Sequence, residues 1–394
     1  MATPTLLLGG FLGAGKTTLL AASAVHLASS GKRSVAVLCN DLADGSIDTA
    51  CVTAGAATVA SGEVSGSCFC CNFPALLSTA RELRATLADD GRGVLLCEPV
   101  GSCTDLSATV LQPMKARHAD EFEMKPLSVL VDAARLRPLL AAPGAAADVA
   151  GGALPEGGAY IARKQLEEAD VVLVSKADLL GAEERRELAA GLARLLPGRG
   201  AGAVRFVSAT SGEGVAEWLE WALAATAEQA GTRLAKMDYE VYAAGEAAFG
   251  WVNAEWELTT AEMVPVDGEV WGAFVAAVMD AVHAQLQQRQ RAVGHVKALL
   301  TGAGSYYLAN LVGLGAVLSK RGKCREGAGP LTLLVNGRVQ GSPQELEAWI
   351  CEGVSGALEG EEFAALRAEL KVSRSLVPGR PEPTFRALEI GARG

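Results

Sequence analysis

The sequence predicts a doubly wound α/β domain, built on a mostly parallel sheet covered by helices on both faces, followed by a second, smaller α+β domain. Three features carry that prediction. Continuous apolar runs alternate with helical segments as far as about residue 225, the pattern of parallel strands buried on both faces. A glycine-rich loop joins the first apolar run to the first helical segment. After about residue 230 the alternation gives way to strands and helices at shorter spacing. The expected division is residues 1–228, 235–356 and a charged tail over 357–394.

Taken in order, residues 4–9 (PTLLLG) read as a buried strand, and KTTLLAASAVHLASSG reads as a helix stopping at Gly31. Residues 33–39 (RSVAVLC) form a second strand ending in polar Asn40 and Asp41. A helix over 73–90 precedes strand 92–97, which ends at Glu98, and 126–132 is a fourth strand. A helix near 158–169 leads to strand 170–174, and a helix over 182–196 leads to strand 203–207. The Ala-, Gly- and Pro-rich stretch 141–158 reads as a loop or insertion, because the rhythm resumes after it. Further on, strand character near Trp251 to Leu258, a long amphipathic helix over 268–291, and strands GHVKALL and PLTLLVNG are expected. Ser342 caps a helix over 342–354. A ferredoxin-like arrangement is one candidate for this region. The last forty residues, charged and broken by prolines, suggest a helix and a loose tail.

Half of the 394 residues are hydrophobic, ample for a sizeable core. The net charge of −10, with no basic stripe, argues against nucleic acid and anionic membrane surfaces as partners. The opening segment has no basic region ahead of its apolar run, and no apolar stretch is long enough to span a bilayer, so a cytoplasmic location is expected. Nine cysteines, an odd number, do not suggest a disulfide framework; reduced thiols fit better, some as metal ligands.

The strongest motif is GGFLGAGKTT, with Gly10, Gly15, Lys16 and Thr17 in P-loop spacing between a strand and a helix. Glycines let the backbone wrap an anion closely, so the N–H groups of Gly13, Ala14, Gly15 and Thr18 and the helix N-terminus face phosphates. Lys16 supplies charge to the outer phosphates, and the Thr17 hydroxyl suits Mg²⁺. The fold class is therefore that of a P-loop NTPase. Three segments then follow at strand ends. Glu98-Pro99-Val100-Gly101 offers a carboxylate for Mg²⁺ and an N–H that senses the γ-phosphate. Ser175-Lys176-Ala177-Asp178 offers a carboxylate for the guanine N1–H and amine, and a lysine stem to lie over the ring. Ser208 and Ala209 offer a backbone N–H to the guanine carbonyl. In that order they point to GTP. Ser175 stands where such a motif usually has Asn, a shorter brace that weakens the expected guanine preference.

Ser67-Cys68-Phe69-Cys70-Cys71 is the second strong motif. Thiols so crowded converge on one ion only from a loop, and thiolates favour Zn²⁺ and Cu(I) and, less strongly, Co²⁺ or Ni²⁺; Zn²⁺ comes first on availability, with Co²⁺ or Ni²⁺ next. Cys68, Cys70 and Cys71 leave a fourth position open, which suits transfer. The cluster lies between the strand ending at Asn40 and the strand ending at Glu98, where a P-loop GTPase keeps its nucleotide-sensing switch.

Together these residues resemble the CobW/UreG/HypB family of P-loop GTPases, its CobW-like branch above all, over about residues 4–225. The resemblance rests on Gly10 to Thr18, Asn40-Asp41, Cys68/Cys70/Cys71, Glu98/Gly101 and Lys176/Asp178. It implies a slowly hydrolysing GTPase that delivers a metal ion to a client metalloprotein or cofactor-dependent enzyme, with homodimerisation or client docking as the switch output. It further implies that Asp41 contributes to Mg²⁺ or metal binding, with Asp48 as a helper. Ser67 replaces a usual Gly, and the C-terminal half has no His-rich tract, only His26, His118, His283 and His295 lying apart along the chain. The competing reading is a non-metal regulatory GTPase that gates cofactor loading of a corrinoid-dependent enzyme. Cys39, Cys97 and Cys103 read as core residues, Cys103 with a weaker claim as a ligand; His295 reads as structural, and Trp251 and Trp256 as packing the second domain.

Overall fold

The computed structural model describes residues 1–29, 33–41, 47–49, 59–88, 91–141 and 152–391. The expected helix stop at Gly31, the glycine-rich stretch 142–151 and Cys51 lie outside the described residues. The described residues fall into two compact units, one from 1–145, 159–242 and 380–394, the other from 146–158 and 243–379.

In the first unit, eight strands among the described residues form a wholly parallel sheet. They are β1 (Thr3–Gly9), β2 (Ser34–Asn40), β3 (Ala60–Val64), β4 (Gly93–Glu98), β5 (Phe122–Met124), β6 (Ser128–Asp132), β7 (Val171–Ser175) and β8 (Val204–Phe206). Their order is β3-β2-β4-β1-β6-β7-β8, with β5 also on β1. Parallel register brings the polar strand ends to one edge: Cys39 pairs with Glu98, Asn40 with Val64, and Asp132 with Ser175. The short strands β3 and β5 escape sequence reading. β3, ASGEV, is a sheet-edge strand without an apolar run.

Helices α1 (Lys16–Ser29), α2 (Phe73–Ala85), α3 (Gln112–Arg117), α4 (Ala133–Leu140), α5 (Glu156–Glu168), α6 (Ala182–Leu195) and α7 (Val215–Ala224) connect the strands. The helix expected to run to residue 90 ends at Ala85, where the Thr86 hydroxyl turns back to donate to Leu83 O at 2.7 Å. Leu8, Val37, Leu96, Leu173 and Trp218 share one buried cluster, and the Trp218 indole N–H reaches Ser128 Oγ at 3.0 Å.

The second unit holds α8 (Tyr239–Ala247, of which the last turns belong here), β9 (Phe249–Thr260), α9 (Gly268–Gln288), β10 (Val293–Gly302), β11 (Ser305–Leu311), β12 (Ser319–Lys323), β13 (Leu331–Gln340), α10 (Pro343–Leu358) and β14 (Leu366–Leu376). All its strand pairs are antiparallel, in the order β12-β11-β10-β13-β9-β14. Setting β11 and β12 aside, the βαββαβ chain order with its two split crossovers is ferredoxin-like. Trp271, Phe274, Leu300 and Ile350 form its core, and Ser342 with Glu345 forms the capping box of α10.

The expected helix and tail after residue 357 need correction. Leu366–Leu376 is a strand, paired with β9 from Leu366↔Thr260 to Leu376↔Trp251. It is an edge strand, and its charged, exposed side chains hide the alternation that marks a half-buried strand. His295 is structural, its Nε2 lying 2.7 Å from Asn336 Oδ1. Trp251 lies beneath the Arg338 guanidinium at 4.0 Å.

At the end of α5 a buried carboxylate ties down the segment after β4. Glu168 accepts from Thr104 Oγ1 at 3.1 Å and from the Ser107 N–H at 2.8 Å. Burial pushes its carboxyl up to about 8 from an ordinary 4.5. Between those values the folded chain binds a proton that the unfolded chain has released, so this group's stabilisation is complete below 4.5 and is lost as pH rises through about 8. The Glu168→Gln variant lacks that ionisation. It is expected to lose this part of the pH dependence and to exceed the unsubstituted protein in stability at about pH 9 by up to roughly 3–5 kcal/mol, read by urea unfolding at about pH 6 and about pH 9.

Candidate functional site

The phosphate loop follows from its glycines. Gly10 has φ of 133°, and a Cβ there would lie 2.2 Å from Leu130 O, so any side chain is excluded. Gly13 and Gly15 also have positive φ, and the Ala14 N–H closes the turn on Phe11 O at 3.1 Å. The loop runs into α1, which begins at Lys16 with no acidic residue in its first turn; its leading N–H groups and dipole therefore favour an anion. Lys16 and Thr17 are buried, and Thr18 is half-buried.

The Lys16 ammonium lies 3.9 Å from Glu98 Oε1. It also lies over Gly101, where a Cβ would come within 2.9 Å of Nζ. Thr17 Oγ1 sits 2.9 Å from Asp48 Oδ1 and 3.0 Å from Glu98 Oε1. One hydroxyl proton serves one of these oxygens at a time. Hard oxygens drawn together beside a phosphate loop are a donor set that fits Mg²⁺. Asp41, at the end of β2, is buried with its N–H on Val64 O at 3.1 Å. Cys39 lies beneath these acids; burial and then the charge of Glu98 push its thiol well up, and it packs in the core as expected. Burial alone pushes Cys97 up to about 12, again as a core thiol.

At the base-reading end, Lys176 takes a left-handed φ of 57° and pairs with Asp132, which also caps α4 by accepting from the Ala134 N–H at 2.8 Å. Asp132 is the partner of an expected site residue that sequence reasoning missed; its signal was its position at a strand end before a helix. Asp178 is exposed on the turn that follows. The Ser175 hydroxyl is buried without a hydrogen bond among the described residues. Ser208 donates its own N–H to Glu213 O at 2.8 Å and its Oγ accepts from the Ser211 N–H, which leaves Ala209 next in line as a backbone donor.

The cysteine loop is held by one side chain. Asn40 donates through Nδ2 to Val64 O at 2.8 Å and Ser67 O at 2.7 Å, and its Oδ1 accepts from the Phe69 N–H at 2.9 Å. Cys68 O then accepts from the N–H groups of Cys71 and Asn72, closing the turn into α2. Cys68 Sγ lies 2.9 Å from Cys70 Sγ, and Cys70 Sγ 3.7 Å from Cys71 Sγ. Among the described residues, the thiols whose sulfurs all lie within 4.8 Å of one another are Cys68, Cys70 and Cys103, all buried. Cys103, first read as a core residue, thus joins the cluster, while Cys71 stands at its half-buried margin. Hydrogen bonds from Cys103 and its neighbours push the Cys68 thiol far down, and the same Cys103 contact pushes Cys70 up.

A segment from the C-terminus crosses this loop. The Glu382 N–H meets Cys71 Sγ at 3.2 Å, and Thr384 donates from its N–H to Cys70 O at 2.8 Å and from its hydroxyl to Cys71 O at 3.1 Å. Phe385 packs edge-on against Phe73, with the Arg117 guanidinium 4.4 Å from its ring. Arg386 Nε reaches Asp105 Oδ2 at 2.6 Å, and Tyr239 OH donates to the same oxygen. The residues read as a loose tail are therefore a strap over the cysteine loop. Deleting residues 380–394 is expected to speed alkylation of Cys71 by roughly 10-fold or more, the equivalent of about 1.4 kcal/mol of protection, leaving Cys39 and Cys97 unreactive; mass spectrometry of iodoacetamide-treated protein reads the difference.

Among the described residues no helix is long and apolar enough to cross a membrane. No curated protein matches the chain. Among solved structures, it is similar to the Zn(II)-bound YjiA GTPase from E. coli at 18% identity and a TM-score of 0.36, covering 89% of this chain and 98% of that one. It is also similar to the hydrogenase maturation factor HypB from Archaeoglobus fulgidus at 15% identity and a TM-score of 0.34, covering 56% and 88%. Residues 4–200, which hold the phosphate loop, the cysteine loop, Lys176 and Asp178, match the nucleotide-binding domain described as CobW/HypB/UreG, and the chain belongs to that family.

Proposed function

We propose that this chain is a cytoplasmic, GTP-hydrolysing metallochaperone, which binds a thiophilic metal ion at its C-x-C-C loop and passes it to a client metalloprotein or cofactor-dependent enzyme. Residues 1–228 act as the GTPase domain. Gly10, Gly13, Ala14, Gly15, Lys16 and Thr18 cradle the phosphates, and Gly101 senses the γ-phosphate. Thr17 and Glu98, with Asp48 beside them and Asp41 as a further contributor, would hold Mg²⁺, which would supply charge neutralisation on the phosphates. Lys176, Asp178 and Ala209 read the guanine, with Ser208 shaping their loop. The cargo, Zn²⁺ first and Co²⁺ or Ni²⁺ next, meets Cys68, Cys70 and Cys71, and each thiol releases its proton to solvent as a metal–sulfur bond forms.

The observation that carries this reading is the Asn40 side chain. It fastens the cysteine loop to the end of β2, whose Cys39 is in register with Glu98. A change at the γ-phosphate and a change at the thiols therefore pull on the same strand ends.

Competitive zinc titration of the reduced protein tests the reading. Roughly stoichiometric binding that tightens with Mg²⁺ and a non-hydrolysable GTP analogue is expected, and replacing Cys70 and Cys71 together should abolish it while nucleotide binding persists. Weak binding that ignores nucleotide would overturn it in favour of a regulatory GTPase that gates cofactor loading. The buried, unbonded Ser175 hydroxyl yields a second expectation. Ser175→Asn, restoring a longer hydrogen-bonding brace, should raise the preference for GTP over ATP by roughly 3–10-fold, measured by displacement of a fluorescent guanine nucleotide.

A further inference from the structure

We infer that Cys103 is a ligand of the cargo metal beside Cys68 and Cys70, so that the ion bridges the cysteine loop and the nucleotide-sensing loop directly. The inference rests on the metal-handling function proposed above and names the ligand set of that site.

The geometry of the three sulfurs is that of a site nearly assembled. They lie within 4.8 Å of one another, buried, and come from segments more than thirty residues apart. Sulfurs on a tetrahedral zinc at about 2.3 Å are about 3.8 Å apart, so closing the trio on an ion takes shifts of about an ångström. Neither backbone has to be built for it. Asn40 and the Cys68 turn fix one side. On the other, the Cys103 N–H closes a turn on Val100 O at 2.9 Å, and the buried Gln165 side chain of α5 donates to Gly101 O at 3.0 Å and Cys103 O at 2.7 Å.

The position of Cys103 gives the ligand its consequence. The loop that carries it starts at Glu98, which touches Thr17, and passes Gly101, which lies against the Lys16 ammonium. A displacement of this loop by the γ-phosphate moves one metal ligand relative to the other two. Metal affinity then follows nucleotide state through the six residues from Glu98 to Cys103. Cys71 plays a different part. It stands outside the trio, half-buried, and its sulfur accepts from the Glu382 N–H of the C-terminal strap. That places it at the rim, where a fourth ligand is exchanged between solvent, Cys71 and an incoming client group.

Cobalt(II) titration of the reduced full-length protein counts the thiolates through the thiolate-to-cobalt charge-transfer band. The Cys103→Ser and Cys103→Ala variants are each expected to lose about a third of that band, one ligand of three. Their affinity should fall by more than the roughly 10–100-fold typical of losing an outer partner of a ligand, and the tightening by Mg²⁺ and GTP analogue should disappear. Cys71→Ser should keep most of the band, and Cys351→Ser, in α10 of the second unit, all of it. Melting curves report that each variant folds. A full band in both folded Cys103 variants would overturn the assignment, and a band lost in Cys71→Ser but kept in Cys103→Ser would hand the third position to Cys71. Absence of any band in the unsubstituted protein would instead overturn the proposed function, and the ligand set with it.

Discussion

The carboxamide of Asn40 is the constraint on which the site depends. It uses both donor hydrogens and its acceptor, at 2.7–2.9 Å, to bind Val64 O, Ser67 O and the Phe69 N–H. An amide is the one neutral side chain type that can donate and accept in this way from a single planar head. Aspartate would present acceptors to two carbonyls, and a small apolar residue would leave buried backbone groups unpaired, at about 1–3 kcal/mol each. The parallel register then does the rest. Because β2 lies between β3 and β4, the group that fixes the cysteine loop is one residue from the position opposite Glu98.

Crowded thiols have a physical cost that explains the form of the cluster. Without an ion, several thiolates cannot be packed together away from water, because like charges in a low dielectric repel strongly. Thiols kept protonated avoid that repulsion while remaining close enough to hydrogen-bond one another. Cys68 is pushed down while Cys70 and Cys71 are pushed up, Cys71 to about 11. On the proposed function, binding a soft cation would remove that restriction and release protons, linking metal affinity to pH. The oxygens around Thr17 are of the opposite character, hard and beside a lysine, so the two donor sets differ in ligand softness.

Much of the first unit was legible because each signal was local and repeated. Apolar runs at β1, β2, β4, β6 and β7 mark strands buried on both faces, and the phosphate loop is a contiguous motif whose glycines have one steric reason. What was not legible was non-local or weak in contrast. β14 is an edge strand whose exposed charges mask alternation. Asp132 gains its meaning from Lys176, forty-four residues away. Cys103 alone is a small buried residue; it becomes a member of the thiol cluster only when β2 and β4 are neighbours. The strap was the largest miss. A charged, proline-broken terminus with little apolar area carries no folding signal of its own, and its order comes from partners already in place on the first unit.

That strap changes how the cysteine loop should be understood. Its backbone N–H groups bond Cys71 Sγ and Cys70 O, and Phe385 and Arg386 anchor it to Phe73 and Asp105 on either side. Asp105 is itself buried at a left-handed φ of 64°, and burial holds its carboxyl above the ordinary range even with Arg386 and Tyr239 against it. The buried Asp105 carboxylate is compensated by a guanidinium from the terminal segment. When the strap is seated, the charge is compensated and the rim of the thiol cluster is covered. Since Asp105 is two residues from Cys103, the strap's anchor and the third thiol lie on one loop. The same residues that close the site to solvent thereby bear on the position of the sulfur that completes it.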